Sequence, residues 1–173
     1  MQTIYICNPL SDVDDCFSDY NIAYGETSES LVFNPSKLDL MIDELHGLMN
    51  VRKEKEIQNK SIIVFLNSIQ KIKSLREYPN DLVDKLNELL EDGPENGIFF
   101  ILHCDSINSI KRTELKIQGF NHRIGFSMNS ESYDELFGNN RINPLKNNRA
   151  LYYNDEIGSI SIFKPYQLNN NQL

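Results

Sequence analysis

The sequence predicts an α/β fold with a mainly parallel sheet. Two short, continuously apolar runs support this prediction: IIVFL at residues 62–66 and IFFIL at residues 98–102. Apolar runs without alternation are typical of strands that are buried on both faces of a parallel sheet. Segments with apolar residues at helical spacing, beginning at Leu38 and Leu82, alternate with these runs. Strands that alternate with amphipathic helices predict βαβ units, which place the strands parallel in one sheet.

The first strand is predicted at Thr3–Cys7, because TIYIC is short, apolar and stopped by Asn8-Pro9. Residues 11–30 are polar, acidic and without periodicity, and they predict a surface loop. A second, very short strand is predicted at Leu31–Phe33.

A long helix is predicted to begin at Asn34-Pro35, because Asn is a good N-cap and Pro costs no hydrogen bond at the first helical position. The charged segment 51–60 predicts a solvated far end of this helix. A strand at Lys60–Asn67 and a polar connection at residues 71–79 are predicted next. The spacing of three and four predicts one apolar helix face, formed by Leu38, Met41, Ile42, Leu45, Leu48 and Met49.

The second half predicts shorter elements and a terminal hairpin. The hairpin strands are Ala150–Tyr153 and Ser159–Phe163, and we expect them to add antiparallel strands at an edge of the sheet. One domain is predicted over residues 1–168, followed by a polar tail at 169–173. The other predicted elements are a helix from Pro79-Asn80 to Asp92, a strand at Ile98–Leu102, a helix at Ile107–Ile117, a strand at Asn121–Met128 and a helix capped by Ser130 that ends at Phe137.

The composition indicates a soluble chain from a reducing compartment. With 173 residues the chain is long enough for one domain with a substantial core. Its three cysteines lack metal-ligand spacing, and an odd number without a signal peptide argues for the cytosol. No apolar run approaches the roughly 20 residues of a membrane helix. The chain could still be the soluble end of a membrane-anchored protein.

The charge distribution argues against sequence-independent DNA binding. The net charge is −8, and residues 1–36 contain six acids and no Lys or Arg. Such binding needs cationic side chains that displace counterions from the phosphates. A local basic patch and a solvated mixed-charge surface both remain open for the later cations, which are Lys111, Arg112, Lys116, Arg123, Arg141, Lys146 and Arg149.

The sequence lacks the common motifs of catalytic and metal sites. It contains no G-x-x-x-x-G-K-[ST], no G-x-G-x-x-G and no G-x-S-x-G. His46, His103 and His122 show no zinc-like pairing, so no metal site is predicted. His103, Cys104 and Asp105 are the residue types of a nucleophile, a base and an orienting acid. Because consecutive strand residues point to opposite faces, we expect them not to converge, and no catalytic residue is predicted.

Five segments, in this order and at this spacing, resemble the FtsK/SpoIIIE-type ATPase module of the RecA-like fold. More specifically, they resemble the last ATPase-like domain of the EssC family of type VII secretion coupling proteins. The segments are LMIDELHGLMNVRK at residues 40–53, SIIVFLNSIQ at 61–70, LNELLEDGPENGIFFILHCDSI at 86–107, NHRIGFSM at 121–128 and NPLKNNRALYY at 143–153.

This resemblance implies a RecA-like three-layer sandwich that lacks its P-loop unit, since Thr3–Asn8 matches the strand after that unit. Either this chain is a piece without the first strand and P-loop, or the domain has lost them. Asn67 and Ser68 fall where active members have the two Walker B acids, and Asp105 and Ser106 fall near the sensor region. Asn lacks the charge that attracts a divalent ion, and Ser cannot accept a proton from water near neutral pH. The resemblance therefore implies degenerate Walker B positions, with ATP and magnesium as cofactors of active relatives and none on this chain. The alternative from the residues alone is that Asn67 and Ser68 simply end a buried strand.

Three functional hypotheses follow. The first is a degenerate, ATPase-inactive domain of a type VII secretion coupling protein. It would contact neighbouring ATPase domains and secreted substrates at the cytoplasmic end of a membrane-anchored protein, which could form a homo-oligomer. The second is a domain of an ATP-dependent DNA translocase of the FtsK/SpoIIIE class. The third is an unrelated small enzyme that uses His103, Cys104 or Asp105.

Overall fold

The computed structural model describes residues 2–7, 28–33, 37–55, 60–76, 81–138, 145 and 148–165. The chain divides into two compact units, Met1–Lys116 and Ile117–Leu173. The single domain predicted over residues 1–168 and the tail at 169–173 stay predictions. The described strands and helices are β1 (Gln2–Cys7), β2 (Ser28–Phe33), α1 (Leu38–Lys55), β3 (Ile62–Leu66), α2 (Asp81–Asp92), β4 (Ile98–Leu102), α3 (Ile107–Lys111), β5 (His122–Gly125), α4 (Ser130–Phe137), β6 (Ala150–Asn154) and β7 (Ser159–Phe163).

The first unit contains a four-stranded parallel sheet in the order β2-β1-β3-β4. This confirms the parallel sheet predicted from the two apolar runs. The register pairs Cys7 with Leu66 and Leu66 with Leu102, so the carboxyl ends of three strands lie at the same level. The short second strand is also confirmed, and it begins earlier than predicted, at Ser28.

The two faces of β3 and β4 differ in burial. Ile62, Val64 and Ile98 are buried on one face. On the opposite face Phe99 is 42% exposed and Ile101 is 53% exposed. The prediction that both apolar runs are buried on both sides is therefore wrong for β4. This strand ends the described sheet, and the helices of the unit leave its second face in water.

Helix α1 confirms the predicted apolar face, but its far end is not wholly solvated. The predicted start at Asn34-Pro35 lies outside the described residues. Arg52, in the last turns, is only 9% exposed, which corrects the prediction of a solvated segment 51–60. Its Nη1 donates to the carbonyl oxygen of Asn96 at 2.7 Å, and its Nη2 donates to that of Lys60 at 3.1 Å. Arg52 thus ties the end of α1 to the residues that precede β4 and β3.

The connection after β3 is more ordered than its polar sequence predicts. It contains 3₁₀ turns at Ile69–Lys71 and Ser74–Arg76. Ile69, Ile72 and Leu75 are buried and anchor these turns to the core.

Helix α3 is shorter than the helix predicted at Ile107–Ile117. Thr113 caps its last turn, because its Oγ1 donates to the carbonyl oxygen of Ile110 at 2.6 Å. Glu114 then adopts a φ of 56°, a left-handed conformation that does not continue a right-handed helix. The segment Ile117–Gly119 forms a separate 3₁₀ turn.

The second unit contains a three-stranded antiparallel sheet in the order β5-β6-β7. The predicted hairpin is confirmed, but the expected place at an edge of the parallel sheet is wrong, because the hairpin pairs with β5 in a sheet of its own. Tyr133, Phe137 and Leu151 form the core of this unit. Asn129, and not Ser130, caps α4, since its Oδ1 accepts a hydrogen bond from the backbone N–H of Ser132 at 2.8 Å.

None of the helices in the described part of the chain is both long and apolar enough to cross a membrane.

We expect the variant Arg52→Lys to unfold more easily than the wild-type chain. A lysine has a single ammonium nitrogen, so it cannot reproduce the two hydrogen bonds that the guanidinium donates to separate carbonyl oxygens. The expected loss is about 1–3 kcal/mol in the free energy of unfolding. Urea denaturation followed by circular dichroism measures this loss. The exposed Lys55→Arg in the same last turn is the matched control, with an expected change within about 0.5 kcal/mol. Equal stability of Arg52→Lys and the wild type would contradict this role.

Candidate functional site

The segments that follow β3 and β4 lie side by side at the carboxyl edge of the parallel sheet. This is the edge where open α/β sheets place their binding sites. Backbone hydrogen bonds continue the strand pairing beyond the strands. The backbone N–H of His103 donates to the carbonyl oxygen of Leu66 at 3.0 Å, and the backbone N–H of Ile69 donates to the carbonyl oxygen of His103 at 3.1 Å. The residues after the two strands are therefore held in a defined arrangement.

Asn67, the first residue after β3, uses its side-chain oxygen within the protein. Its Oδ1 lies 2.7 Å from Nδ1 of His103. Because an amide oxygen can only accept, Nδ1 of the imidazole is the donor. The hydroxyl of Ser68 approaches the same oxygen at 3.5 Å. The side chain therefore links the two segments that follow β3 and β4.

Ser68 is buried and turns the chain out of the sheet. Its φ of 49° and ψ of 52° are left-handed, a conformation that is uncommon for residues other than glycine. Its carbonyl oxygen accepts from the N–H of Lys71 at 2.8 Å, which closes the first 3₁₀ turn. The position thus has a structural role in the connection.

The residues at these positions do not fit a magnesium ion. Magnesium is usually held by carboxylates and phosphates, whereas Asn67 offers a neutral oxygen that already accepts from His103. Among the residues that the structure describes, no three His, Cys, Asp or Glu side chains are grouped so that they could hold a metal ion. The assignment of Asn67 and Ser68 as degenerate Walker B positions stays a prediction.

His103, Cys104 and Asp105 point to different partners. The imidazole of His103 bonds Asn67, whereas Oδ1 of Asp105 accepts from the hydroxyl of Ser109 at 2.9 Å. Burial raises the pKa of the Cys104 thiol, and the negative charge of Asp105 raises it further. A thiol with a raised pKa is a poor nucleophile near neutral pH. This arrangement does not resemble a catalytic triad.

A cavity of about 440 Å³ opens between the second 3₁₀ turn after β3 and the helix after β4. Asp105 and Ser106, the predicted sensor-region positions, both contribute to its wall. The hydroxyls of Ser106 and Ser109 lie 3.0 Å apart and, together with Asp105, form a small polar network. We call this cavity the carboxyl-edge pocket. Its lining includes Gln70, Arg76, Asp105, Ser106, Ser109 and Arg112.

The segments that form this pocket are basic, in contrast to the chain as a whole. Residues 69–76 and 105–112 contain five cations and one acid, Asp105. The whole chain has a net charge of −8. The sequence analysis left a local basic patch open, but it did not single out Gln70, Arg76 or Ser109. The available signal was the recurrence of Lys and Arg shortly after each of two apolar strands.

Arg123, one of the later cations noted in the sequence, lies in β5 and belongs to the second unit. Its side chain is 11% exposed. Nε donates to the carbonyl oxygen of Phe120 at 2.9 Å, Nη1 donates to that of Leu136 at 3.1 Å, and the guanidinium lies over the ring of Tyr153. Nη2 also pairs with Asp155 at 3.3 Å. These contacts give Arg123 a structural role within its own unit.

The chain is similar in structure to two solved proteins. The first is EssC (ATPases 2 and 3) from Geobacillus thermodenitrificans, with a TM-score of 0.69 and 18% identity over 98% of this chain. The second is Thermomonospora curvata EccC (ATPases 2 and 3) in complex with a signal sequence peptide, with a TM-score of 0.66 and 16% identity over 97% of this chain. The chain has the fold of these EssC and EccC ATPase domains. The structural comparison confirms the resemblance that the five sequence segments indicated.

The EssC-like fold covers nearly the whole chain, but the chain spans only about a third of each matched structure, 34% and 32%. No protein-family model and no curated protein matches the sequence. The likeness to EssC and EccC therefore concerns the fold, at an identity of 16–18%.

The raised pKa of Cys104 predicts slow alkylation by iodoacetamide in the folded chain. Since the thiolate is the reactive form, its reaction should begin at a higher pH than in the urea-unfolded chain. Mass spectrometry of the Cys104 peptide across a pH series measures this shift. The pH midpoint separates the effect of the pKa from that of limited access.

The variant Asp105→Asn should move this midpoint to lower pH, because it removes a negative charge that opposes the thiolate. The exposed Asp134→Asn removes the same charge on α4 and should leave the midpoint unchanged. A wild-type midpoint equal to or below that of the unfolded chain would contradict the raised pKa.

Proposed function

We propose that the chain is a degenerate, ATPase-inactive FtsK/SpoIIIE-type domain of a type VII secretion coupling protein. It acts through contacts with secreted substrates or with neighbouring ATPase domains. The observation that carries this proposal is the EssC and EccC fold, with neutral Asn67 and Ser68 at the carboxyl end of β3. The proposal includes the RecA-like three-layer arrangement as the form of the whole domain.

The loss of nucleotide chemistry is supported by two independent features. Asn67 has no carboxylate for magnesium, and its Oδ1 already accepts a hydrogen bond from His103. The printed sequence also contains no G-x-x-x-x-G-K-[ST] loop, whose backbone N–H groups and lysine cradle phosphates. Without these groups, neither ATP binding nor activation of water by a Walker B acid is expected.

The partners in this proposal are proteins. The EccC structure contains a signal sequence peptide, and both matched structures contain two ATPases on one chain. These neighbours support substrate peptides and adjacent ATPase domains as partners. In the proposal the domain lies in the cytoplasm, contacts the membrane only through another part of the protein, and could assemble into a homo-oligomer.

A DNA translocase domain is the second candidate, and the cations around the carboxyl-edge pocket are the observation that favours it. The acidic composition of residues 1–36 opposes it, because a polyanion would be repelled there. A mobility-shift measurement with duplex DNA at low salt separates the candidates. Absence of retention rules against the translocase.

We expect no saturable binding of ATP with magnesium to the purified chain in isothermal titration calorimetry. The physical reason is the missing phosphate cradle together with the uncharged Asn67. An active P-loop ATPase, titrated under the same conditions, is the positive control. Submicromolar affinity of this chain for magnesium-ATP would overturn the proposed inactivity.

The double variant Asn67→Asp with Ser68→Glu tests whether the missing acids alone prevent ATP turnover. We expect it to remain without ATP turnover, because restored acids still lack a phosphate-binding loop. Turnover by this variant would show that the chain provides a phosphate site by other means. The single variant Asn67→Ala removes the bond to His103, so its urea denaturation measures how much that bond contributes to stability.

A further inference from the structure

We infer that the carboxyl-edge pocket binds a carboxylate of an acidic peptide segment from another protein, through the guanidinium groups of Arg76 and Arg112. This inference rests on the proposed function, in which the domain works through protein contacts. It adds the place and the chemistry of one such contact.

Among the described residues, nothing occupies the guanidinium groups of the two arginines in an ion pair. Both side chains are exposed, and both line the same concave surface. Neither forms an ion pair with a residue that the structure describes, whereas Lys53 and Lys85 on the helices are paired with carboxylates. A guanidinium presents a fork of donors that matches a carboxylate, so the pair forms a suitable receptor for an acidic side chain.

The local charge favours an anion over a neutral ligand. Within the pocket wall the two guanidiniums exceed the single carboxylate of Asp105, which already accepts a hydrogen bond from Ser109. Lys71, Lys73 and Lys111 add positive charge to the surrounding segments. Because the rest of the chain is acidic, this edge is a positive region on a negative protein and attracts acidic partners electrostatically.

Gln70 indicates that the ligand also donates hydrogen bonds. It lines the pocket, and its Oε1 is buried without a hydrogen-bond partner among the described residues. The terminal amide torsion of Gln has a broad distribution, so an occupant can draw this oxygen towards itself. A peptide supplies backbone N–H donors beside its carboxylate, whereas a fully ionised oxyanion such as sulfate supplies acceptors only. The combination of lining groups therefore favours a peptide over a simple oxyanion.

The size of the pocket also fits a short peptide segment. Its volume of about 440 Å³ lies in the range of small-ligand sites. Duplex DNA instead needs a row of cations along an extended surface. The pocket therefore suits one acidic side chain with its adjoining peptide groups.

Fluorescence anisotropy with the full chain tests the inference. The probe is a short fluorescein-labelled peptide of Glu, Gly and Ser, and its partner probe has Gln in place of every Glu. We expect saturable binding of the Glu peptide, and at least about tenfold weaker binding of the Gln peptide, because the charge-assisted hydrogen bonds are lost. No binding of the Glu peptide, or equal binding of both, overturns the inference.

The double variant Arg76→Gln with Arg112→Gln should weaken binding of the Glu peptide by about tenfold or more. The matched control, Lys37→Gln with Lys55→Gln, removes the same charge from exposed positions that do not line the pocket, and it should change affinity less than about threefold. Circular dichroism verifies that each variant is folded. An equal effect of both double variants would mean that only net charge matters, which overturns a specific pocket.

Gln70→Met and a set of competitors identify the ligand class. The variant Gln70→Met should weaken binding of the Glu peptide, because methionine lacks the side-chain carbonyl oxygen that would accept a hydrogen bond from the peptide. If inorganic phosphate or ATP displaces the peptide at equal concentration, the pocket is an oxyanion site and peptide recognition is overturned. If a short DNA duplex displaces the peptide, the result overturns peptide recognition and favours the translocase. Absence of Glu-peptide binding would overturn the pocket alone, whereas saturable binding of magnesium-ATP in calorimetry would overturn the proposed inactivity, so the two failures are distinguishable.

Discussion

Backbone hydrogen bonds hold β1, β3 and β4 in a parallel register that ends all three strands at one level, and the rest of the site depends on this pairing. The pairing continues past the strands through His103, Leu66 and Ile69. Apolar burial stabilises it, because one face of β3 is covered completely and the turns after it are anchored by buried isoleucine and leucine side chains. The polar residues that follow the strands are therefore positioned by the core, although they lie on the surface.

The polar residues at this edge are used in two different ways. The hydrogen bond between His103 and Asn67 joins the segments that follow β3 and β4. A few residues further along the same segments, Arg76 and Arg112 remain without a described ionic partner around a cavity. Under the proposed function, the carboxyl edge of the sheet still binds a ligand. The protein groups are guanidiniums in place of carboxylates, and the ligand is a peptide in place of a nucleotide phosphate.

The sequence predicted those features that depend on local patterns. The apolar runs, the helical spacing and the hairpin turn each identify an element within a few residues, and the resemblance located the polar positions after β3 and β4. Features that depend on distant parts of the chain were missed. Arg52 is buried where its guanidinium reaches the carbonyl oxygen of Asn96, and Phe99 is exposed because it lies on the face of β4 opposite buried Ile98. Gln70 and Arg112 meet in one pocket only after the strands have paired, so no motif marks them.

The exposed Phe99 and Ile101 affect how the chain behaves in solution. Among the described residues β4 pairs with β3 on one side only, and two large apolar side chains are exposed on one of its faces. Such a strand is a template on which another extended chain can add itself, and IFFIL combines the β-propensity and absence of charge that favour self-association. We therefore expect concentrated samples of the isolated chain to aggregate, and a polypeptide that covers β4 to increase its solubility.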